Sequence, residues 1–75
     1  MEDGQRPREW TGTVSAGEAG GRLDLWLAGR LGELSRIRVK GLIEGGKVLV
    51  EGRVVKAGYR VRVGERVVVT IPPAP

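Results

Sequence analysis

The stretch from Ser35 to Gly52 constrains the fold of this chain most, because it reads as a short helix running straight into a hairpin. Ser35 is a good N-cap, since its hydroxyl can accept a bond from an orphan amide of the first turn. Gly45 and Gly46 supply the left-handed residue that ends a helix. Between them, at about 100° per residue, Val39, Leu42 and Ile43 fall on one stripe. Arg36 and Lys40 share a second face, and Arg38 flanks the stripe on its other side. Lys47 to Val50 and Arg53 to Val55 are β-branched runs separated by Glu51 and Gly52, the spacing of a tight hairpin. Glu51 is not the best first turn residue, because a non-glycine residue at positive φ costs about 1–2 kcal/mol. Gly52 is expected to take most of that strain.

Around this unit the chain forms one small domain of α+β class, two short helices on a small, mostly antiparallel sheet. Met1 to Glu9 is charged and lacks an apolar period, which predicts a disordered tail with Arg6 and Arg8 in solvent. Trp10 to Val14 alternates as a short edge strand, with Trp10 a lid on the core rather than a base-stacking platform. Ser15 to Gly21 is a glycine-rich loop. From Arg22 a first helix begins, with Leu23, Leu27 and Leu31 in a narrow arc, Trp26 at its flank, and Gly32 expected to end it. Asp24 stands in the first turn, where a carboxylate favours the helix dipole. Ile37 points away from the core stripe. Lys56 to Arg60 is a loop holding Tyr59, read as a packed anchor ahead of a base-stacking side chain. Arg66 to Ile71 is a strand with Val67, Val69 and Ile71 on one face. Residues 10–71 are thus the domain. Pro72 to Pro75 cannot continue a sheet and read as the start of a proline-rich linker.

Composition limits the functional classes. Seventy-five residues leave little room for a buried pocket and make a marginally stable unit. The net charge is +4, and ten of the thirteen cations are arginine, the side chain suited to forked phosphate contacts. A basic balance alone is weak support for nucleic acid as the partner. Histidine and cysteine are both absent, which removes the commonest general base, disulfides and thiolate metal sites, and fits a reducing cytoplasm. No apolar run approaches the roughly 18 residues that would cross a membrane, and the N-terminus has no secretory pattern. Gly41-x-x-x-x-Gly46-Lys47 nearly spells a phosphate loop. Val48 holds its Ser/Thr place, however, and a helix precedes it where a strand is required.

Taken in order, the residues resemble a known family. Arg22-Leu23-Asp24-x-x-Leu27, Ser35-Arg36, Leu42-Ile43, Gly46-x-Val48-x-Val50-x-Gly52, Lys56, Val61 and Gly64-Glu65-x-Val67 look like the S-four RNA-binding domain, or alpha-L motif. With the leading Thr-Val strand and the trailing prolines, the pattern most resembles the N-terminal domain of ribosomal large-subunit pseudouridine synthases. That resemblance implies RNA lying against the basic edge of the second helix and the adjacent hairpin. The implied contacts are Ser35, Arg36, Arg38 and Lys40, joined by Lys47, Arg53 and Lys56, with Arg22 at the start of the first helix. Glu51 departs from the family, which commonly has Asn there, and an acidic tip repels phosphate. Arg60, Arg62 and Arg66 have no such family support.

The resemblance also implies a binding module without catalysis or cofactor. Pseudouridine synthases of this class carry their catalytic aspartate in another Arg-Leu-Asp, preceded by His and followed by Thr-Ser-Gly. Here Gly21 precedes and Leu25 to Ala28 follow, so Asp24 belongs to the helix start. The expected partner is structured RNA, ribosomal by resemblance, bound by a cytoplasmic monomer that can also touch a following catalytic domain. Two other readings stay open. In one, the basic face docks an acidic protein partner. In the other, the module belongs to a stand-alone ribosome-associated protein.

Overall fold

The computed structural model describes residues 8–72. In chain order it contains β1 (Arg8–Thr13), a 3-10 turn (Ala16–Glu18), α1 (Leu23–Arg30), α2 (Arg36–Glu44), β2 (Val48–Val50), β3 (Arg53–Val54) and β4 (Arg66–Ile71). The strands form one antiparallel sheet in the order β1-β4-β2-β3. This is the α+β class expected from the sequence, with every pairing antiparallel.

Alternation along the strands decides which face is buried. Val48 and Val50 on β2, and Val67, Val69 and Ile71 on β4, face the helices and are almost wholly buried. Leu23, Leu27 and Leu31 from the first helix and Val39, Leu42 and Ile43 from the second complete that core. Their apolar stripes are the two read from the sequence, and Ile37 stands out at 85% exposed.

β1 starts earlier than the alternation suggested. Arg8 and Glu9 are strand residues paired with Ile71 and Thr70, so the predicted tail over residues 1–9 is too long at its inner end. Two charged residues at an edge give no apolar signal, but β4 supplies a ladder of backbone bonds that any residue can join. Residues 1–7 lie outside the described residues, as do Pro73 to Pro75 of the expected linker.

Trp10 does lie against the core, its ring edge-on to Trp26 with centroids 5.9 Å apart. Gly12 makes room for it. A Cβ at Gly12 would meet the Trp10 ring at 2.4 Å, so the indole lies where a side chain two residues along the same face would stand. Arg30 covers the other tryptophan, 4.9 Å from the Trp26 ring centre, and pairs with Glu18 at 2.6 Å. Arg30, with the Ser15 backbone assisting, holds the Glu18 carboxyl far below the usual carboxylate range.

Each helix end is satisfied differently. The Ser35 hydroxyl accepts from the Arg38 amide at 3.1 Å, as a serine N-cap should. At the other end, Gly46 takes φ +77°, and the Gly46 and Lys47 amides donate back to the Ile43 and Leu42 carbonyls. That is a Schellman motif, and it turns the chain directly into β2. α1 has no side-chain cap from Arg22. Its first amides are met by a distant loop: Leu23 donates to the Tyr59 carbonyl at 2.8 Å and Asp24 to the Ala57 carbonyl at 3.2 Å. The helix closes on Leu31, one residue ahead of the expected Gly32.

Candidate nucleic-acid interface

The site rests on the turn that links α2 to β2. Because β2 runs back along α2, the helix N-terminus and the hairpin tip lie toward the same end of the domain. The loop from Lys56 to Arg60 is bonded to the start of α1. Arg22 lies over this loop, its guanidinium 3.9 Å from where a Cβ on Gly58 would stand.

Asp24 organises the meeting point. It is 3% exposed and is the one charged residue buried among the described residues. Arg22 grips it with two bonds, Nε to Oδ1 at 3.1 Å and a second guanidinium nitrogen to Oδ2 at 3.2 Å, while the Leu25 amide donates to Oδ1 at 2.9 Å. The Arg22 bonds hold the Asp24 carboxyl below its ordinary value against the opposing effect of burial, with smaller contributions from the Leu25 amide and the nearby Arg36 charge. Asp24 raises the Arg22 pKa in turn. Asp24 thus holds Arg22 and lies near the Arg36 charge, and the Asp24 amide's bond to the Ala57 carbonyl brings the neighbouring Lys56 backbone to the same region. The sequence places Asp24 in the first turn and leaves its burial and its grip on Arg22 unseen.

The remaining predicted residues are distributed as follows. Arg36 and Lys40 share one edge of α2, and Arg38 occupies the opposite edge of the apolar stripe. All three are exposed. Arg53 pairs with Val50 beside the hairpin turn. Lys47 stands three residues back along the hairpin, about 10 Å at strand spacing, at the far end of α2 from Arg36. No contact joins Lys47 or Arg38 to the Arg22–Arg36–Lys56 group among the described residues. The Ser35 hydroxyl oxygen is occupied as a helix cap.

The hairpin turn corrects one expectation. Glu51 and Gly52 both take positive φ, 51° and 80°, as a type I′ turn requires, so the strain is not confined to Gly52. Compensation comes from β4. The Glu51 amide donates to the Arg66 carbonyl at 3.0 Å, and its carboxylate accepts from the Arg66 amide at 2.7 Å. The acidic residue at the tip therefore ties the turn to the sheet.

Charge pairing separates the arginines. Toward the β1 edge, Arg8 pairs with Glu33 at 3.0 Å and Arg30 with Glu18. Arg36, Arg38, Lys40, Lys47, Arg53, Lys56, Arg60, Arg62 and Arg66 are exposed and make no ion pair with another described residue, Arg66 standing opposite Thr13 of β1. Arg62 belongs to this free set although the ordered motif does not include it. Its position beside Tyr59 depends on how the loop folds back.

The fold agrees with what the chain is similar to. The S4 domain family matches residues 21–67, and the chain belongs to that family. Over 60 residues it is 37% identical to an RNA pseudouridine synthase of Bacillus subtilis, covering 80% of this chain and 20% of the relative. It is 47% identical over 60 residues to an RNA pseudouridine synthase of Synechocystis, covering 79% of the chain and 18% of the relative. A third, from Chloroflexus aurantiacus, is 48% identical over 52 residues, covering 69% of the chain and 16% of the relative. The chain thus spans at most a fifth of the length of these relatives. No helix among the described residues is long and apolar enough to cross a membrane.

Proposed function

We propose that this S4 domain docks structured RNA through Arg36, Arg38 and Lys40 on α2, Lys47 and Arg53 on the hairpin, Lys56 on the loop, and the exposed part of Arg22, with Ser35 capping the helix that presents them. The observation that carries this is the division of the cations. Arg8 and Arg30 are held by acidic partners, while the cations of α2, the hairpin and the loop after it have no ion-pair partner among the described residues and are left free for a polyanion. Unpaired, exposed arginine and lysine on a small basic domain make the electrostatic footprint of phosphate binding. Phosphate contacts orient the protein on its RNA and carry little base information, so binding by this surface is weakly sequence-selective.

The names of the relatives support a finer reading, that the module serves an RNA pseudouridine synthase; ribosomal RNA as its target, the cytoplasm and a monomeric state rest on the family resemblance and are part of the proposal. In that setting this chain holds the RNA and contributes no catalytic group. Asp24 supports the division of labour, since a carboxylate buried against Arg22 and the Leu25 amide is committed to the fold.

The test is a fluorescence-anisotropy titration of a ribosomal RNA fragment across salt concentrations. Four to six phosphate contacts give a log–log slope of about −3 to −5. Arg36→Glu with Lys40→Glu should abolish most binding while the thermal melt stays that of the wild type. Binding that is flat with salt, or unchanged in this double variant, overturns the assignment.

A further inference from the structure

Beside the hairpin lies a groove of about 330 Å³ that the S4 pattern does not account for. Val50 and Val55 form its floor and Tyr59 a wall, with Arg53, which shares the Val50 face of the hairpin, and Arg62 at its rim; Val54 borders it from the strand edge, its side chain on the opposite face with Leu49. Two acids also line it, and both carboxylates have partners. Glu51 accepts from the Arg66 amide, while Glu65 accepts from the Arg62 amide at 2.8 Å and from the Tyr59 hydroxyl. The Tyr59–Glu65 bond fixes the ring and, with burial, raises the tyrosine pKa against the smaller opposing effect of the Arg62 and Arg53 charges. Neither arginine has an ion-pair partner among the described residues.

An apolar floor, an immobilised aromatic wall and two free guanidiniums suit one kind of occupant. We propose that this groove receives a single unpaired nucleotide of the bound RNA, its base against Tyr59 over the valine floor and its phosphate between Arg53 and Arg62. A base inside a duplex cannot reach such a groove, whereas one extruded from a bulge or loop can stack on an aromatic or guanidinium plane. This rests on the RNA-binding reading and adds to it: the preferred RNA carries an unpaired nucleotide beside the helix that α2 and the loop contact. Arg62 becomes a specificity-determining residue, outside the set that the ordered motif supplies.

The experiment uses the 75-residue chain and two RNA hairpins identical except for one unpaired uridine in the stem. The wild-type chain should favour the bulged hairpin by about fivefold or more, the low end of what one stacked base contributes. Arg62→Gln should erase that preference and lower the salt slope on the bulged RNA by about one. As a readout independent of variant folding, 4-thiouridine at the bulge should cross-link to the wild-type chain between Arg53 and Arg62. Equal affinity for the two hairpins, a preference that survives Arg62→Gln, or a cross-link elsewhere overturns the subsite. If Arg36→Glu with Lys40→Glu still abolishes binding in that case, the broader RNA-binding reading stands. A wild-type chain that binds neither hairpin overturns both.

Discussion

Asp24→Asn separates the scaffold of the interface from its charge. The substitution keeps shape and an oxygen acceptor for the Leu25 amide, but it removes the negative charge that Arg22 grips through two bonds. Hydrogen bonds to charged groups contribute about 1.5–3 kcal/mol and neutral ones about 0.5–1.5. The Arg22 side chain is 45% exposed and can rehydrate, which limits the loss. A net cost of about 1–2 kcal/mol follows, and at about 4–8 °C per kcal/mol for a domain this small, the melting temperature falls by roughly 4–16 °C. The pH dependence is more diagnostic. Arg22 holds the folded-state carboxyl below its unfolded value, so Asp24 stabilises the fold above about pH 3.9 and ceases to do so as the pH falls through its lowered folded value. Melts followed by circular dichroism from pH 7 downward should therefore show the wild type and Asp24→Asn converging below about pH 3.9. RNA affinity should be undiminished, because the change frees Arg22 and removes a carboxylate near Arg36. A variant that melts like wild type at neutral pH, or a gap that persists undiminished in acid, refutes the role given to this pair.

Three further outcomes are expected. Leu42→Ala opens a cavity between α2 and the sheet and should cost about 2–5 kcal/mol, seen as a large loss in the thermal melt together with RNA binding. Gly12→Ala pushes the Trp10 ring off its seat, so tryptophan emission should shift to the red and stability fall by about 1–3 kcal/mol. Mixed with ribosomal RNA tritiated at uridine carbon 5, the chain should release no tritium; release that tracks with the protein would return Asp24 to consideration as a catalytic residue.

Much of this domain was legible because its signals are local. Ser35 caps its own helix, Gly46 of the expected glycine pair takes the left-handed turn that ends it, and the valines of β4 alternate at the period of a half-buried strand. Such features depend on φ preferences and on periods of 3.6 and 2, which neighbouring residues carry between them. The apolar stripes, the hairpin and the free edges of α2 could all be read in this way, and so could the family.

What the sequence could not supply was any bond made across the fold. Arg8 and Glu9 join the sheet because β4 offers them a ladder, and no side-chain pattern announces that. Ala57 and Tyr59 cap α1 from more than thirty residues away, and that contact brings the loop that carries Lys56 to the start of α1. Arg8, Arg22 and Arg30 look alike in sequence to Arg36, Arg53 and Arg62. Only the packed chain brings Glu33, Asp24 and Glu18 against the first three and leaves the second three unpaired. Composition determined that this protein is basic. The tertiary structure decided where that charge is free, because an ion pair depends on distances of a few ångströms that folding alone creates.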